Sequence, residues 1–307
     1  MNENGKVRLA LTGGTGFIAR GVLENCAGTG LPCRALSRST RPSWAGQAIE
    51  WATVCSYDDT AALRQALGRA KYVLHLADDP ARDNMRSAEE TVRACDALIE
   101  AIRSNRVDGV IVASSVYAAG NRGNGESSYA LAKRTIEQRF LAATDIRTVV
   151  LRLPPVYGPG GGGGFAMLSK LVRKGLPLPL GAATAPRSYL SRRNLASLIV
   201  AMANAGDDAW KSAAGRVFEP SDGVVVGTRD LVHAMAAHIG VAPKLLHVPL
   251  GLLRIAAAAT GKMELVSGAI DRLDVAPVGE LEAAFGWRPL ERMPESLAFL
   301  RETVSRS

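Results

Sequence analysis

The sequence predicts an α/β protein: a doubly wound parallel sheet followed by a smaller, mainly helical lobe. Three observations carry that reading. Strand-like and helix-like patterns alternate from residue 7 to residue 153, the order that builds a parallel sheet with helices on both faces. A glycine-rich turn, Thr12-Gly13-Gly14-Thr15-Gly16, separates the first strand from the first helix. After Pro154-Pro155 the segments become shorter and less regular, beginning with five consecutive glycines, Gly160 to Gly164.

Residues 7–12 are a mostly apolar run, suited to a strand buried on both faces. Helix-like sequence runs from Gly16 to Ala27. Pro32 to Ser37 and Ile49 to Cys55 read as the second and third strands, Thr60 to Arg69 as a helix, and Lys71 to Leu76 as the fourth strand. Between Ser87 and Ser104, Val92, Cys95, Leu98, Ile99 and Ile102 recur at helical spacing. Gly109 to Ala113 is the fifth strand, Ser128 to Ala142 a helix, and Arg147 to Leu153 the sixth strand. Right-handed crossovers leave few other topologies. Farther on, helices are expected at Phe165–Lys174, Asn194–Ala205, Thr228–Ile239 and Glu291–Val304. The glycine run is expected to be a mobile loop. A boundary after residue 155 separates a dinucleotide-binding domain, 1–155, from a substrate lobe, 156–307, some of whose strands return to the main sheet.

With 307 residues, 47% hydrophobic and 21% charged, the chain has an ordinary globular composition and ample length for a large core. Its net charge of +8 suits anionic ligands such as pyrophosphates. An Arg-rich surface without a specific partner explains the charge equally well. The basic residues are scattered and aromatics make up 5%, so nucleic acid is not an expected partner. Cys26, Cys33, Cys55 and Cys95 form no C-x-x-C and lie at no ligand spacing from histidine. They read as buried free thiols, and no metal is expected. The apolar stretch from Leu250 to Thr260 is too short to span a bilayer and contains Arg254. There is no signal-peptide pattern, so a reducing, cytoplasmic setting without a membrane partner is expected.

Two motifs carry chemistry. The first is the glycine-rich turn: Gly13 permits the tight bend, Gly16 lets the backbone approach a pyrophosphate, and Ala19 lets helix pack on strand. Thr15, Gly16, Phe17 and Ile18 then present the free N–H groups of a helix N-terminus to the ligand. At the end of the second strand an acid would favour a free ribose 2′-hydroxyl. Here Ser37 and Arg38 stand instead and suit a 2′-phosphate, so NADP(H) is favoured, with NAD(H) as the alternative. Arg38 stacking on adenine or facing solvent is the plainer reading. Asp58 is placed to accept from the adenine amino group, although Asp58 or Asp59 as a helix cap would look the same.

The second motif is Ser114-Ser115 followed by Tyr129-Ala-Leu-Ala-Lys133. Tyr and Lys four residues apart share a helix face. An ammonium beside a phenol favours the phenolate, making a proton donor and acceptor for near-neutral pH. A serine ending the preceding strand can hold the substrate oxygen. Together these residues predict carbonyl/alcohol redox chemistry.

These segments resemble the extended short-chain dehydrogenase/reductase family, especially its nucleotide-sugar epimerase, dehydratase and 4-ketoreductase branch. The resemblance spans nearly the whole chain: TGGTGFIA at 12–19, HLAD at 75–78, ASS at 113–115, YALAK at 129–133, LRLPPVYGPG at 151–160, RSYLSRRNLA at 187–196 and FGWRPLERMPESL at 285–297. It implies a Rossmann-type sheet with Tyr129 as acid/base. Lys133 supports the phenol and binds the nicotinamide ribose, and Ser115 bonds the reacting oxygen. By the same resemblance Leu76 and Ala77 line the cofactor, Pro154 and Val156 flank the nicotinamide, and Arg187 contacts a substrate diphosphate. A surface salt bridge is the plainer reading of Arg187. Departures fall at Asp78 for a usual Ala, Asn194 for a usual Asp, and Gly164 where many members place an Asn on the nucleotide. The last two put the nucleotide contacts in question.

The leading expectation is a reductase of a 4-keto nucleoside-diphosphate sugar using NADPH, with Tyr129 as proton donor. The alternatives are a 4-epimerase with tightly bound NAD and a reductase of a small non-nucleotide ketone or aldehyde. A dehydratase fits less well, because Val116-Tyr117 stands where that branch carries Asp-Glu. Loss of catalysis is disfavoured by the intact Tyr129 and Lys133. The resemblance also implies a homodimer through the helices Ser87–Ser104 and Ser128–Ala142.

Overall fold

The computed structural model describes residues 7–77, 87–122, 127–275 and 277–302. Asp78 lies outside them. Strands β1 (Leu9–Thr12), β2 (Cys33–Ser37), β3 (Glu50–Thr53), β4 (Tyr72–His75), β5 (Gly109–Ser115) and β6 (Thr148–Leu153) alternate with helices α1 (Phe17–Thr29), α2 (Thr60–Leu67), α3 (Ala88–Ser104) and α4 (Ser128–Ala142). Then come β7 (Val156–Tyr157), α5 (Gly163–Arg173), β8 (Leu190–Ser191), α6 (Arg192–Asn204), α7 (Asp207–Ala213) and β9 (Val217–Phe218). The chain finishes with α8 (Thr228–Ile239), α9 (Leu250–Ala259), α10 (Met263–Ile270), α11 (Gly279–Phe285) and α12 (Phe299–Glu302).

The main sheet is a seven-stranded, all-parallel Rossmann sheet in the order β3-β2-β1-β4-β5-β6-β9. Strand side chains alternate between faces, and both faces are covered. Leu9, Leu11, Leu74, Ile111 and Leu151 face one core, shared with α1, α6 and α7. Ala10, Val73, Val110, Val112 and Val150 face the other, shared with α2, α3 and α4. The uninterrupted apolar runs of the sequence follow from this double burial.

Elements of the second half join this sheet: β9 pairs with β6, and α6 packs against α1. Helix α7, Leu281 of α11 and Trp287 also pack into the first core, while α5, α8 and residues near the C-terminus build a third core around Tyr157, Tyr189, Leu231, Met235 and Leu297. A short second sheet, β7 beside β8, lies between the two regions.

Three expectations change. The glycine run is not all loop: Gly161 N–H closes on the Gly158 carbonyl at 3.1 Å, and α5 begins at Gly163. Glu291–Val304 is not one helix, since Pro294 lacks the N–H a helix interior needs. Within the described residues that segment forms a 3-10 turn, Glu295–Leu297, and then α12. Cys55 is exposed, because it follows edge strand β3, whereas Cys26, Cys33 and Cys95 are buried. Among the described residues no helix is long and apolar enough to cross a membrane.

Trp210 of α7 is fully buried, stacks on Tyr72 at 4.5 Å between ring centres, and donates to the Met202 carbonyl at 2.9 Å. A Cβ on Gly109 would lie 2.5 Å from its ring, so a side chain at this strand start displaces the indole. Gly109→Ala is therefore expected to lower the unfolding free energy by about 1–3 kcal/mol through overpacking. Urea denaturation reads this as a lower midpoint; an unchanged midpoint would mean that the indole yields without cost.

Candidate active site

All strands of the main sheet run parallel, so their carboxyl ends gather along one edge, the usual place for a ligand in such folds. β1 ends there in Thr12, and Gly13 turns the chain with φ +70. A Cβ on Gly13 would stand 3.1 Å from the backbone of Leu76 and Ala77; one on Gly14 would stand 2.8 Å from Ala35 Cβ. Gly16 then caps α1 without any side-chain acceptor. The opening N–H groups of α1 thus meet no capping side chain, and Thr15 and Gly16 are exposed beside the half-buried Phe17 and Ile18. This is a cradle for an anion, and it fits a dinucleotide pyrophosphate.

Side chains from other strands hold the turn. The Thr12 hydroxyl oxygen accepts from Leu76 N–H at 3.0 Å and Ala77 N–H at 3.1 Å, and lies 2.9 Å from His75 Nδ1. With two N–H groups on that oxygen, its own hydrogen goes to His75 Nδ1, which assigns the imidazole proton to Nε2. The Tyr57 hydroxyl accepts from Gly13 N–H at 2.8 Å and donates to the Leu36 carbonyl at 2.9 Å. Sequence reasoning missed Thr12, Tyr57 and His75, since nothing in their spacing announces these contacts.

At the ends of β2 and β3, Ser37 is buried and its Oγ accepts from Ser39 N–H at 3.1 Å. Arg38 is exposed. Asp59 caps α2, accepting from Ala62 N–H at 2.9 Å, whereas Asp58 is exposed and accepts from the Ser56 hydroxyl. The cap is thus assigned to one of the two acids that the sequence left open.

Ser115 is the buried last residue of β5, and its Oγ accepts from Tyr117 N–H at 3.4 Å. Ser127 caps α4 by accepting from Ala130 N–H at 3.2 Å, which places Tyr129 in the first turn. Lys133, one turn on, is buried; its Nζ donates to the Ala113 carbonyl at 3.1 Å and lies 5.9 Å from the centre of the Tyr129 ring. Helix α4 thus sets Lys133 beside Tyr129 and against the end of β5, two residues before Ser115. Ser114 points elsewhere, donating to buried Glu137, which also receives Arg152 at 2.7 Å. Pro154 and Val156 follow β6, with Val156 paired to Leu190.

Arg187 is 2% exposed, which removes the surface salt bridge as its explanation. Its Nη1 donates to the Asp271 carbonyl, and its Nε has no partner among the described residues. Asn194 is fully buried and structural. Its amide donates to Asp222 at 2.7 Å and to the Glu291 carbonyl at 2.8 Å, while its oxygen accepts from Leu290 and Glu291 N–H. Its departure from the usual Asp therefore carries no information about nucleotide contacts. Gly164 lies in the first turn of α5, and the neighbouring Phe165 stacks on Tyr157 at 4.8 Å.

The doubly wound, all-parallel sheet with its glycine turn at the carboxyl edge defines the class: a Rossmann-type α/β protein of the extended short-chain dehydrogenase/reductase kind. More particularly, the chain belongs to the NAD dependent epimerase/dehydratase family, whose profile matches residues 9–217. It is 32% identical over 174 residues to a UDP-glucose 4-epimerase from Vibrio cholerae, covering 55% of this chain and 51% of that protein. The chain thus spans about half the length of that curated relative.

Solved structures share the fold. The Thermus thermophilus UDP-glucose 4-epimerase in complex with NAD is 22% identical, with a TM-score of 0.72 over 97% of this chain and 98% of that one. A Thermotoga maritima UDP-glucose 4-epimerase with UDP-glucose is 18% identical, with a TM-score of 0.73 over 97% and 98%. The Bordetella bronchiseptica enzyme WbmG in complex with NAD is 16% identical, with a TM-score of 0.74 over 99% and 96%.

Thr12→Val strips two backbone N–H groups of their acceptor. It is expected to cost about 1–3 kcal/mol of stability and to weaken NAD binding, as read by denaturation and by NAD titration. Unaltered NAD affinity would show that the Gly13 turn keeps its shape without this hydroxyl.

Proposed function

We propose that this chain is an NAD-dependent 4-epimerase of a nucleoside-diphosphate sugar. The observation that supports the reading is Lys133 set beside Tyr129 and against the end of β5, where Ser115 stands, in a parallel sheet whose carboxyl edge also carries the Gly13–Ile18 turn. The family and the curated relative favour an epimerase over the 4-ketoreductase expected first from the sequence.

In this reading Gly13, Thr15, Gly16, Phe17 and Ile18 hold the cofactor pyrophosphate, Leu76, Ala77, Pro154 and Val156 line its path, and Asp58 meets the adenine. When bound, the nicotinamide supplies a hydride acceptor and donor at the sugar C4. Ser115 Oγ holds the C4 oxygen, and the Tyr129 hydroxyl oxygen takes its proton and later returns it. The Lys133 ammonium attracts the negative charge that develops on that phenol. Arg187 holds the substrate diphosphate. Ser37 Oγ accepts from Ser39 N–H, a bond that leaves its O–H donor uncommitted and so does not separate NAD from NADP; the NAD reading is supported by the family. Exposed Arg38, with no acid at the end of β2, is the one feature that favours an NADPH-linked reductase. A homodimer through α3 and α4 is part of the proposal; sedimentation of a monomer at micromolar concentration would remove it.

Denaturing the purified protein is expected to release NAD. UDP-galactose should convert to UDP-glucose without added cofactor, and Tyr129→Phe should lower kcat by about 10²–10⁴-fold. Turnover that consumes added NADPH mole for mole would instead establish the ketoreductase.

A further inference from the structure

The large apolar side chains that the fold leaves in solvent gather in one stretch: Leu246, Leu252, Ile255, Met263 and Leu265 are all exposed. In α9 the usual pattern is inverted. Leu252, Ile255, Ala256 and Ala259 share one helix face by their spacing, and all four are exposed, whereas the buried position goes to Ala257. Leu252 is 59% exposed and Ile255 68%. A helix that turns its larger apolar residues outward and an alanine inward presents a face suited to a partner rather than to water. Helix α10 packs against α9, and Arg254 of α9 pairs at 2.6 Å with Asp271, the residue that follows α10. Met263 and Leu265 therefore belong to the same helical pair, with exposed Glu264 between them.

The charge around this pair has one sign. Residues 146–206 contain no Asp or Glu, and residues 231–270 contain only Glu264. The two stretches meet in the fold. Leu178 N–H donates to the Lys244 carbonyl at 2.8 Å, Leu246 N–H donates to the Leu178 carbonyl at 2.8 Å, and α10 packs against α5. A Cβ on Gly175 would lie 4.0 Å from Lys244 Nζ, which sets that ammonium over the turn after Lys174. Lys170, Lys174, Lys244 and Lys262 are exposed, and none of them pairs with an acid among the described residues.

This charge selects the occupant. A second copy docked through the same face about a two-fold axis would set lysine against lysine. An anionic bilayer is the complement: its acyl boundary takes long apolar side chains, and its headgroups take ammonium groups at the rim. We propose that the α9–α10 pair lies on the surface of an anionic lipid bilayer, with Leu252 and Ile255 in the acyl boundary and Lys174, Lys244 and Lys262 on the headgroups. Such contact needs no spanning segment, whereas the sequence expectation of no membrane partner rests on the lack of one. The proposal is independent of the epimerase reading.

The test is flotation of the purified protein with vesicles of phosphatidylcholine, alone or with about one-third phosphatidylglycerol. The protein is expected to float with the anionic vesicles, less so as salt rises, and far more weakly with the neutral ones. Lys244→Gln should lower partitioning onto anionic vesicles about fivefold. The double variant Leu252→Gln/Ile255→Gln should lower it at least about tenfold. Its melting temperature should match wild type, because both positions are exposed. Absence of flotation would overturn the proposal, as would equal flotation of wild type and the double variant. Equal flotation on neutral vesicles would remove the lysines from it. Self-association of wild type that the double variant abolishes, without flotation, would give the face to a second copy instead.

Discussion

The turn between β1 and α1 is held by groups borrowed from β4 and from the segment after β3. One hydroxyl, on Thr12, takes the two N–H groups that follow β4, and one phenol, on Tyr57, takes the N–H of Gly13. These are backbone donors that would otherwise be stranded at the end of a sheet. Satisfying them with side chains brings β1, β2 and β4 to a common end and leaves α1's own first N–H groups without a side-chain cap. The positive end of that helix, the serine at the end of β5 and the Tyr–Lys pair on α4 then share one edge of one rigid sheet. The proposed reaction needs that rigidity, because its hydride and proton would move at the same carbon and oxygen.

The C-terminal region is fastened to this edge by a buried polar network. Asp222 accepts from the Tyr157 hydroxyl at 2.6 Å, Ser191 N–H at 2.8 Å and the Asn194 amide at 2.7 Å. Burial pushes the Asp222 carboxyl up from its ordinary value, and it pushes the Tyr157 phenol up as well, with Asp222 adding to that rise. Asn194 extends the network to the backbone at Leu290 and Glu291. Such a network specifies one arrangement only when each member is satisfied, which is the case here. It fixes β7 against β8, and so sets the spacing between Val156 and Leu190.

The sheet was legible in the sequence because double burial writes itself as apolar runs, and helices covering it as apolar residues at helical spacing. The glycine turn and the Ser-Tyr-Lys set were legible because their chemistry constrains local spacing. What could not be read depends on contacts across long separations. Thr12 meets His75, Tyr157 meets Asp222, and Asn194 meets Glu291 only after folding. Asn194 shows the risk directly: a departure read as a change of ligand contact turns out to clamp a distant loop. The segment Glu291–Val304 departs from a single helix for a local reason, the missing backbone donor of Pro294.

The parallel order of the sheet also has a temporal meaning. Strands β1 to β6 lie within residues 9–153, whereas their seventh neighbour, β9, is at Val217–Phe218. A ribosome therefore releases six strands well before the seventh, and nascent domains begin to fold in that order. Until β9 arrives, β6 is an open edge, and the apolar face of α1 waits for α6. An unpaired edge strand invites pairing with another chain. The last-made pieces of this sheet thus close the surface on which a half-synthesised chain is most exposed to aggregation.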